Sequence, residues 1–105
     1  MNKILLVGHV GRDAEFRTST SNPYCILALA TNENYQDKFG QWKSETDWHR
    51  VKIIGRNAER AASTIKKGDM IMIEGKIESY QHENKTILEV KAFNFKNFSK
   101  ASNDN

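Results

Sequence analysis

The chain has 105 residues, 38% of them hydrophobic and 28% charged, a balance that fits one globular domain with a modest core. Its net charge of +3 and pI near 9.1 permit an anionic partner without demanding one, and the 16 Lys and Arg residues are spread along the chain rather than gathered in a polybasic arm. Cys25, the single cysteine, excludes an intramolecular disulfide framework and a thiolate zinc site; no apolar run approaches the ~18 residues that cross a bilayer, and the opening Met1-Asn2-Lys3-Ile4 does not read as a signal peptide.

Lys3 to Val10 reads as a first strand interrupted by Gly8, and Ala14 to Arg17 as a short extended piece. Thr18 to Pro23 is a polar turn cluster. Tyr24 to Thr31 is nearly all apolar, so it is predicted to be a buried second strand, with Cys25 as an inert thiol. Asn32 to Glu45 reads as a long polar loop with a hairpin tip at Lys38-Phe39-Gly40-Gln41. Tyr35, Phe39 and Trp42 lie in this loop, where they either fold back on the domain or serve as stacking platforms. Thr46 to Ile54 is the third strand. Asn57 to Ile65 reads as a short helix, with Asn57 as N-cap, an apolar stripe of Ala58, Ala61, Ala62 and Ile65, and Lys66, Lys67 and Gly68 at its end. Met70 to Tyr80 is a fourth strand, with Ile71, Ile73 and Ile77 on one face and Gly75 allowing curvature. A loop from Gln81 to Lys85 leads to the fifth strand, Thr86 to Phe93, with Leu88, Val90 and Ala92 facing in. This order predicts an all-β fold with one short helix: an OB-fold, a five-stranded Greek-key barrel. The domain is expected over residues 1–96, with a short flexible tail at 97–105.

The third strand is the most informative stretch. One face carries Trp48, Arg50, Lys52 and Ile54, the other His49, Val51 and Ile53. A flat ring interleaved with cations suits a partner with π-faces and phosphates. The plainer alternative is a solvated face whose tryptophan packs under a loop. His9, His49 and His82 lack metal-ligand spacing, so neither a metal site nor a cofactor is expected.

Asn2 to Glu15, Leu29-Ala30-Thr31-Asn32-Glu33, Thr46 to Val51, and Lys67-Gly68-Asp69 through Ile73-Glu74-Gly75 together resemble, in collinear order, four signatures of bacterial single-stranded-DNA-binding proteins. The resemblance implies an OB-fold protein that coats single strands, a homo-oligomer with a homotetramer favoured, and a cytoplasmic, nucleoid-associated location. It implies stacking by Trp48 and by Tyr35, which stands where members often carry a loop tryptophan. It places Arg50 and Lys43 near phosphate contacts and His49 at a subunit interface. Three features depart from the pattern. Ile54 stands where many members have a stacking phenylalanine. Tyr80 and His82 stand where members often carry Arg and an aromatic. Asn103-Asp104-Asn105 stands in place of a linker with an acidic tip, so docking of replication and repair enzymes through such a tip is not expected.

The resulting expectation is sequence-independent binding and protection of single-stranded DNA in replication, recombination and repair. Trp48 and Tyr35 are the main platforms, followed by Trp42, Phe39 and Tyr80. Arg50, Lys52, Lys43, Arg17, Arg56 and Lys76 would track the phosphates. For Phe39, Trp42 and Tyr80, packing or plain surface remains the alternative role. An enzyme is not expected, although an OB-fold nuclease with a convergent acidic site is the enzymatic alternative. The other is a primosome-type adaptor that mainly contacts proteins.

Overall fold

The computed structural model describes residues 1–18 and 22–99. The chain forms β1 (Ile4–Val10), β2 (Glu15–Arg17), β3 (Tyr24–Gln36), β4 (Trp42–Ile54), α1 (Asn57–Thr64), β5 (Met70–His82) and β6 (Lys85–Asn97). The strand order β1-β5-β6-β4-β3 closes on itself because β1 also pairs with β3, and β2 hangs on the outer edge of β3. All pairings are antiparallel except β4 with β6, which aligns Val51 with Val90 and Ile53 with Ala92. This is the expected five-stranded OB barrel with one helix between its third and fourth barrel strands.

Alternation along the strands fills the barrel. Cys25, Leu27 and Leu29 from β3 meet Val51 and Ile53 from β4, Ile71 and Ile73 from β5, and Val90 and Ala92 from β6. Helix α1 adds Ala58 and Ala61 to this core, with Ile65 just beyond it, and Ala62 packs at the margin, so the expected stripe is present. Gly8 and Gly75 sit where strands approach too closely for a side chain. A Cβ on Gly8 would collide with the Ala30 carbonyl where β1 meets β3, and Gly75 occupies a bulge between β5 and β6.

The structure corrects five details. Asn32 to Glu45 is not a loop: β3 and β4 continue as a two-stranded ribbon whose pairing runs to Gln36 opposite Trp42. Only residues 37–41 turn, around Asp37, whose Oδ1 accepts the N–H groups of Phe39 and Gln41, both at 2.9 Å. The β5–β6 connection is tighter than expected, a two-residue turn at Glu83 and Asn84, both with positive φ. Leu88, expected to face in, is exposed, because it lies beyond Val90, the last apolar core residue toward the β5–β6 turn, and the Ser79 opposite it is exposed as well. Asn57 does not cap α1. Arg56 holds that position, and the Asn57 amide donates to the Phe93 carbonyl at 3.1 Å while its oxygen accepts from Arg60. Lys66 and Lys67 lie past the last helical turn, and Gly68 ties this bend to β1 by donating to the Val10 carbonyl at 2.8 Å.

At the C-terminal side β6 runs through Asn97, and Phe98 and Ser99 still bond to Met70. Chain pairing therefore extends past the boundary placed at 96. Residues 100–105 of the tail, with Asn103-Asp104-Asn105, lie outside the described residues.

Cys25 is fully enclosed, and burial pushes its thiol pKa from 9.0 up to about 11. Below pH ~9 both folded and unfolded states keep the proton. Between about 9 and 11 only the unfolded state releases it, so stability falls as pH rises through that window. Alkylating reagents at pH 8 are expected to leave the thiol unmodified until denaturant unfolds the chain. Rapid modification of the native protein would contradict this enclosure.

Candidate nucleic-acid interface

Strand register assembles one outer face of the barrel. On β4 it presents Trp48, Arg50, Lys52 and Ile54, opposite Ala30, Ala28, Ile26 and Tyr24 of β3. β2 extends it with Glu15 and Arg17 beside Ile26 and Tyr24. On the other flank Lys91 of β6 lies beside Lys52, and β5 adds Lys76 and Glu78 opposite Lys91 and Glu89.

Trp48 is 62% exposed. One side of its ring rests on the bare backbone of Gly11, where a Cβ would come 2.7 Å from Cη2 and nearer still to Cζ3. Gly11 is itself fixed by donating its N–H to the Ala28 carbonyl at 2.9 Å. The small side chains of Ala28 and Ala30 leave the ring flat and accessible, so the sequence-predicted platform is a supported ring rather than one packed under a loop.

The cations beside it are mostly engaged. Arg50 Nε donates to Glu89 Oε2 at 2.6 Å, and Glu89 is only 8% exposed. That hydrogen bond raises the Arg50 pKa beyond its already high ordinary value, so the guanidinium stays charged and oriented. Its remaining N–H groups are available to a ligand. Glu78 lies 3.7 Å from Lys76 and 3.6 Å from Lys91, Glu15 bonds Arg17 at 3.0 Å, and Asp37 stands 4.0 Å from Lys43. Among the described residues Lys52 and Arg56 make no ion pair; Lys52 instead places its ammonium 4.4 Å from the centre of the Tyr24 ring.

The structure therefore brings Trp48, Arg50, Lys52, Lys76, Tyr80 and Arg17 onto one face. The other expected residues are dispersed. Trp42 is on Trp48's side of the ribbon but six positions away, roughly 20 Å at strand rise. Tyr35 and Lys43 pair with each other on the ribbon's opposite side. Phe39 is exposed at the tip beneath Lys38, and Arg56 follows the turn after β4. His49 alternates away from Trp48, and its Nε2 is 2.8 Å from Thr31 Oγ1.

Sequence reasoning missed three contributors. Tyr24 stands at the head of an apolar run, where nothing in the sequence marks it as a contact residue. Arg12, which borders a recess shared with Trp48 and Arg50, lay in a turn. Glu89 is 39 residues from Arg50, and no local pattern links them. Among the described residues no group of three or more His, Cys, Asp or Glu side chains is placed to hold a metal ion, and no helix is long and apolar enough to cross a membrane.

Comparison with known proteins agrees with this architecture. Single-stranded DNA-binding proteins from serogroup A and serogroup B strains of Neisseria meningitidis are each 34% identical over 94 residues, covering 89% of this chain and 54% of theirs. The chain thus spans about half the length of these relatives. A Plasmodium falciparum SSB solved in complex with ssDNA superposes with a TM-score of 0.81 at 25% identity, over 93% of this chain and 95% of that one. A deletion mutant of the single-stranded DNA binding protein from Thermus aquaticus gives a TM-score of 0.84 at 27% identity, over 93% of this chain and 50% of that one. With the family model covering residues 1–96 as well, the chain belongs to the single-strand binding protein family.

Proposed function

We propose that this protein binds single-stranded DNA without sequence preference, stacking bases on Trp48 and neutralising phosphates along the Arg50–Lys52 row. The supported, outward-facing ring of Trp48 beside those cations is the observation that carries this reading. Membership of the family and the likeness to an SSB solved with ssDNA support it. Single strands expose both faces of every base, so a ring and a positive row serve any sequence. Tyr35, Trp42 and Phe39 on the ribbon, with Lys43, would extend the path beyond the barrel. Arg17, Arg56, Lys76 and Tyr80 would border it. Protection of strands during replication, recombination and repair, at the nucleoid in the cytoplasm, follows from such binding.

A homo-oligomer, with a tetramer favoured, is part of the same reading. Leu5 and Val7 alternate outward from β1 and are exposed, which supports burial against another copy. His49 is the proposed interface residue on β4.

Stacking and charge are separable by salt titration of labelled oligo-dT. Each phosphate contact contributes about −0.7 to the slope of log K against log salt. Lys52, which pairs with no carboxylate among the described residues, is expected to contribute a full step, so Lys52→Met should flatten the slope by about 0.7. Quenching of Trp48 should persist in that variant. An unchanged slope in Lys52→Met would remove Lys52 from the phosphate path, and absence of quenching in the parent protein would overturn the stacking reading.

A further inference from the structure

The face holds a second concavity, away from Trp48. A recess of about 300 Å³ lies between Tyr24 and Ile26 of β3, Arg50 and Lys52 of β4, and Tyr80 of β5, with the carboxylates of Glu78 and Glu89 also in its lining. Tyr24 stands at its rim. By register it is flanked by Ile54 on one side and Arg17 on the other, all on the same face as Trp48. The Lys52 ammonium lies over its ring at 4.4 Å. Tyr24 is half-buried and Tyr80 exposed, and both line the recess with Arg50. Glu89, nearly buried, holds Arg50 from beneath, while Glu78 is shared between Lys76 and Lys91. Five cations (Arg17, Arg50, Lys52, Lys76 and Lys91) thus meet three carboxylates (Glu15, Glu78 and Glu89), all already paired, and the local field stays positive.

We propose that this recess is a second nucleotide subsite, in which Tyr24 and Tyr80 hold one base and Lys52 holds an adjoining phosphate. This rests on the DNA-binding reading above and assigns to it a site that does not include Trp48. The size fits: about 300 Å³ is at the small end of ligand pockets, right for one nucleotide rather than a larger ligand. Chemistry fits as well. A tyrosine offers two π-faces and a polar edge: the Lys52 ammonium lies over one face of Tyr24, so a base takes the other or shifts the ammonium onto the adjoining phosphate. Tyr24 lies opposite Ile54, six residues along β4 from Trp48, so the two rings are roughly 20 Å apart along the strand. A strand bound across the barrel would therefore meet an aromatic ring at each end of the Arg50–Lys52 row.

The test uses the full chain and oligo-dT of two lengths, about 4 and about 16 nucleotides, the extremes of OB-fold site sizes. In the native protein, photo-crosslinking of a bromodeoxyuridine-substituted long oligo is expected to label Tyr24 or Tyr80 in addition to Trp48. Tyr24→Leu is expected to weaken binding of the long oligo by about 5- to 100-fold, to leave quenching of Trp48 by the short one unchanged, and to be rescued by Tyr24→Phe. Crosslinks absent from both tyrosines, or Tyr24→Leu binding the long oligo as the parent does, would overturn the subsite. Equal loss for both lengths would also overturn it, because that is the signature of a structural defect. A parent protein that leaves oligo-dT unbound would overturn the wider reading, and this one with it.

Discussion

Trp48→Ala is expected to lower affinity for oligo-dT by about 5- to 150-fold, the range that ~1–3 kcal/mol per stacked base corresponds to. The loss should fall on binding rather than folding. The ring is 62% exposed, and its support, the Gly11 backbone, remains anchored to Ala28 whether or not the ring is there. Melting should therefore shift little. Gly11→Ala provides an independent check. Its methyl group would take the space of the indole edge, so the ring must tilt away while every cation stays in place. That variant should bind more weakly than the parent but retain its salt slope. Fluorescence anisotropy of a labelled oligo reads both variants, since Trp48→Ala removes the fluorophore whose quenching reports stacking. If Trp48→Ala bound within twofold of the parent, the face would have to work by charge alone. With most of its cations already paired to carboxylates, that face is poorly equipped to do so.

What was legible in the sequence follows from where a core exists to impose a pattern. Between Trp48 and Ile54 one side of β4 meets the barrel interior, so Val51 and Ile53 alternate with Arg50 and Lys52 and both faces can be read. Beyond Asn32 and before Thr46 the same two strands continue with no core on either side. Polar residues there carry no alternation, and the stretch reads as a loop although residues 33–36 and 42–45 are paired. What holds it is ladder hydrogen bonding and cross-strand contacts such as Thr46 Oγ1 donating to Asn32 Oδ1 at 2.6 Å. Leu88 fails for the opposite reason: it keeps the period of the buried face past Val90, where the apolar core ends. Tyr24 is the instructive miss. It heads a strand that reads as mostly buried, and only its parity with Ile26 and Ala28, seen in the register, turns it to the face that carries Trp48. Charge is less legible still, because Arg50 and Glu89 meet only through the parallel pairing of β4 with β6.

Gly75, where β5 meets β6, is a position where one added methyl group does great harm. Gly75 pairs with Ile4 on β1 and with Ala92 on β6, next to the bulge at Glu74. A Cβ there would stand 2.8 Å from the Ala92 Cα, 2.9 Å from the Lys91 carbonyl carbon, and closer again to the Lys91 oxygen. All three are backbone atoms, so no rotamer change relieves the contact. β6 must move away from β5, and β6 also carries the pairing of Lys91 with Lys52 and Ala92 with Ile53 that joins it to β4. Gly75→Ala is therefore expected to destabilise the fold by about 3 kcal/mol, the upper part of the range for overpacking. At roughly 4–8 °C per kcal/mol for a domain of this size, the drop in melting temperature should be large. Ser79→Ala, exposed further along the same strand, should stay within about 0.5 kcal/mol of the parent. Urea melts of the two variants separate the cases. A Gly75→Ala protein as stable as Ser79→Ala would mean that β5 and β6 can part at the bulge without cost. The Arg50–Lys52 row, which is aligned by β6, would then lose its structural explanation. If instead the variant melts early yet binds oligo-dT normally at low temperature, barrel closure and the DNA-contacting face are mechanically separate. The shared register of Lys52 and Lys91 predicts the reverse: binding and stability should fall together.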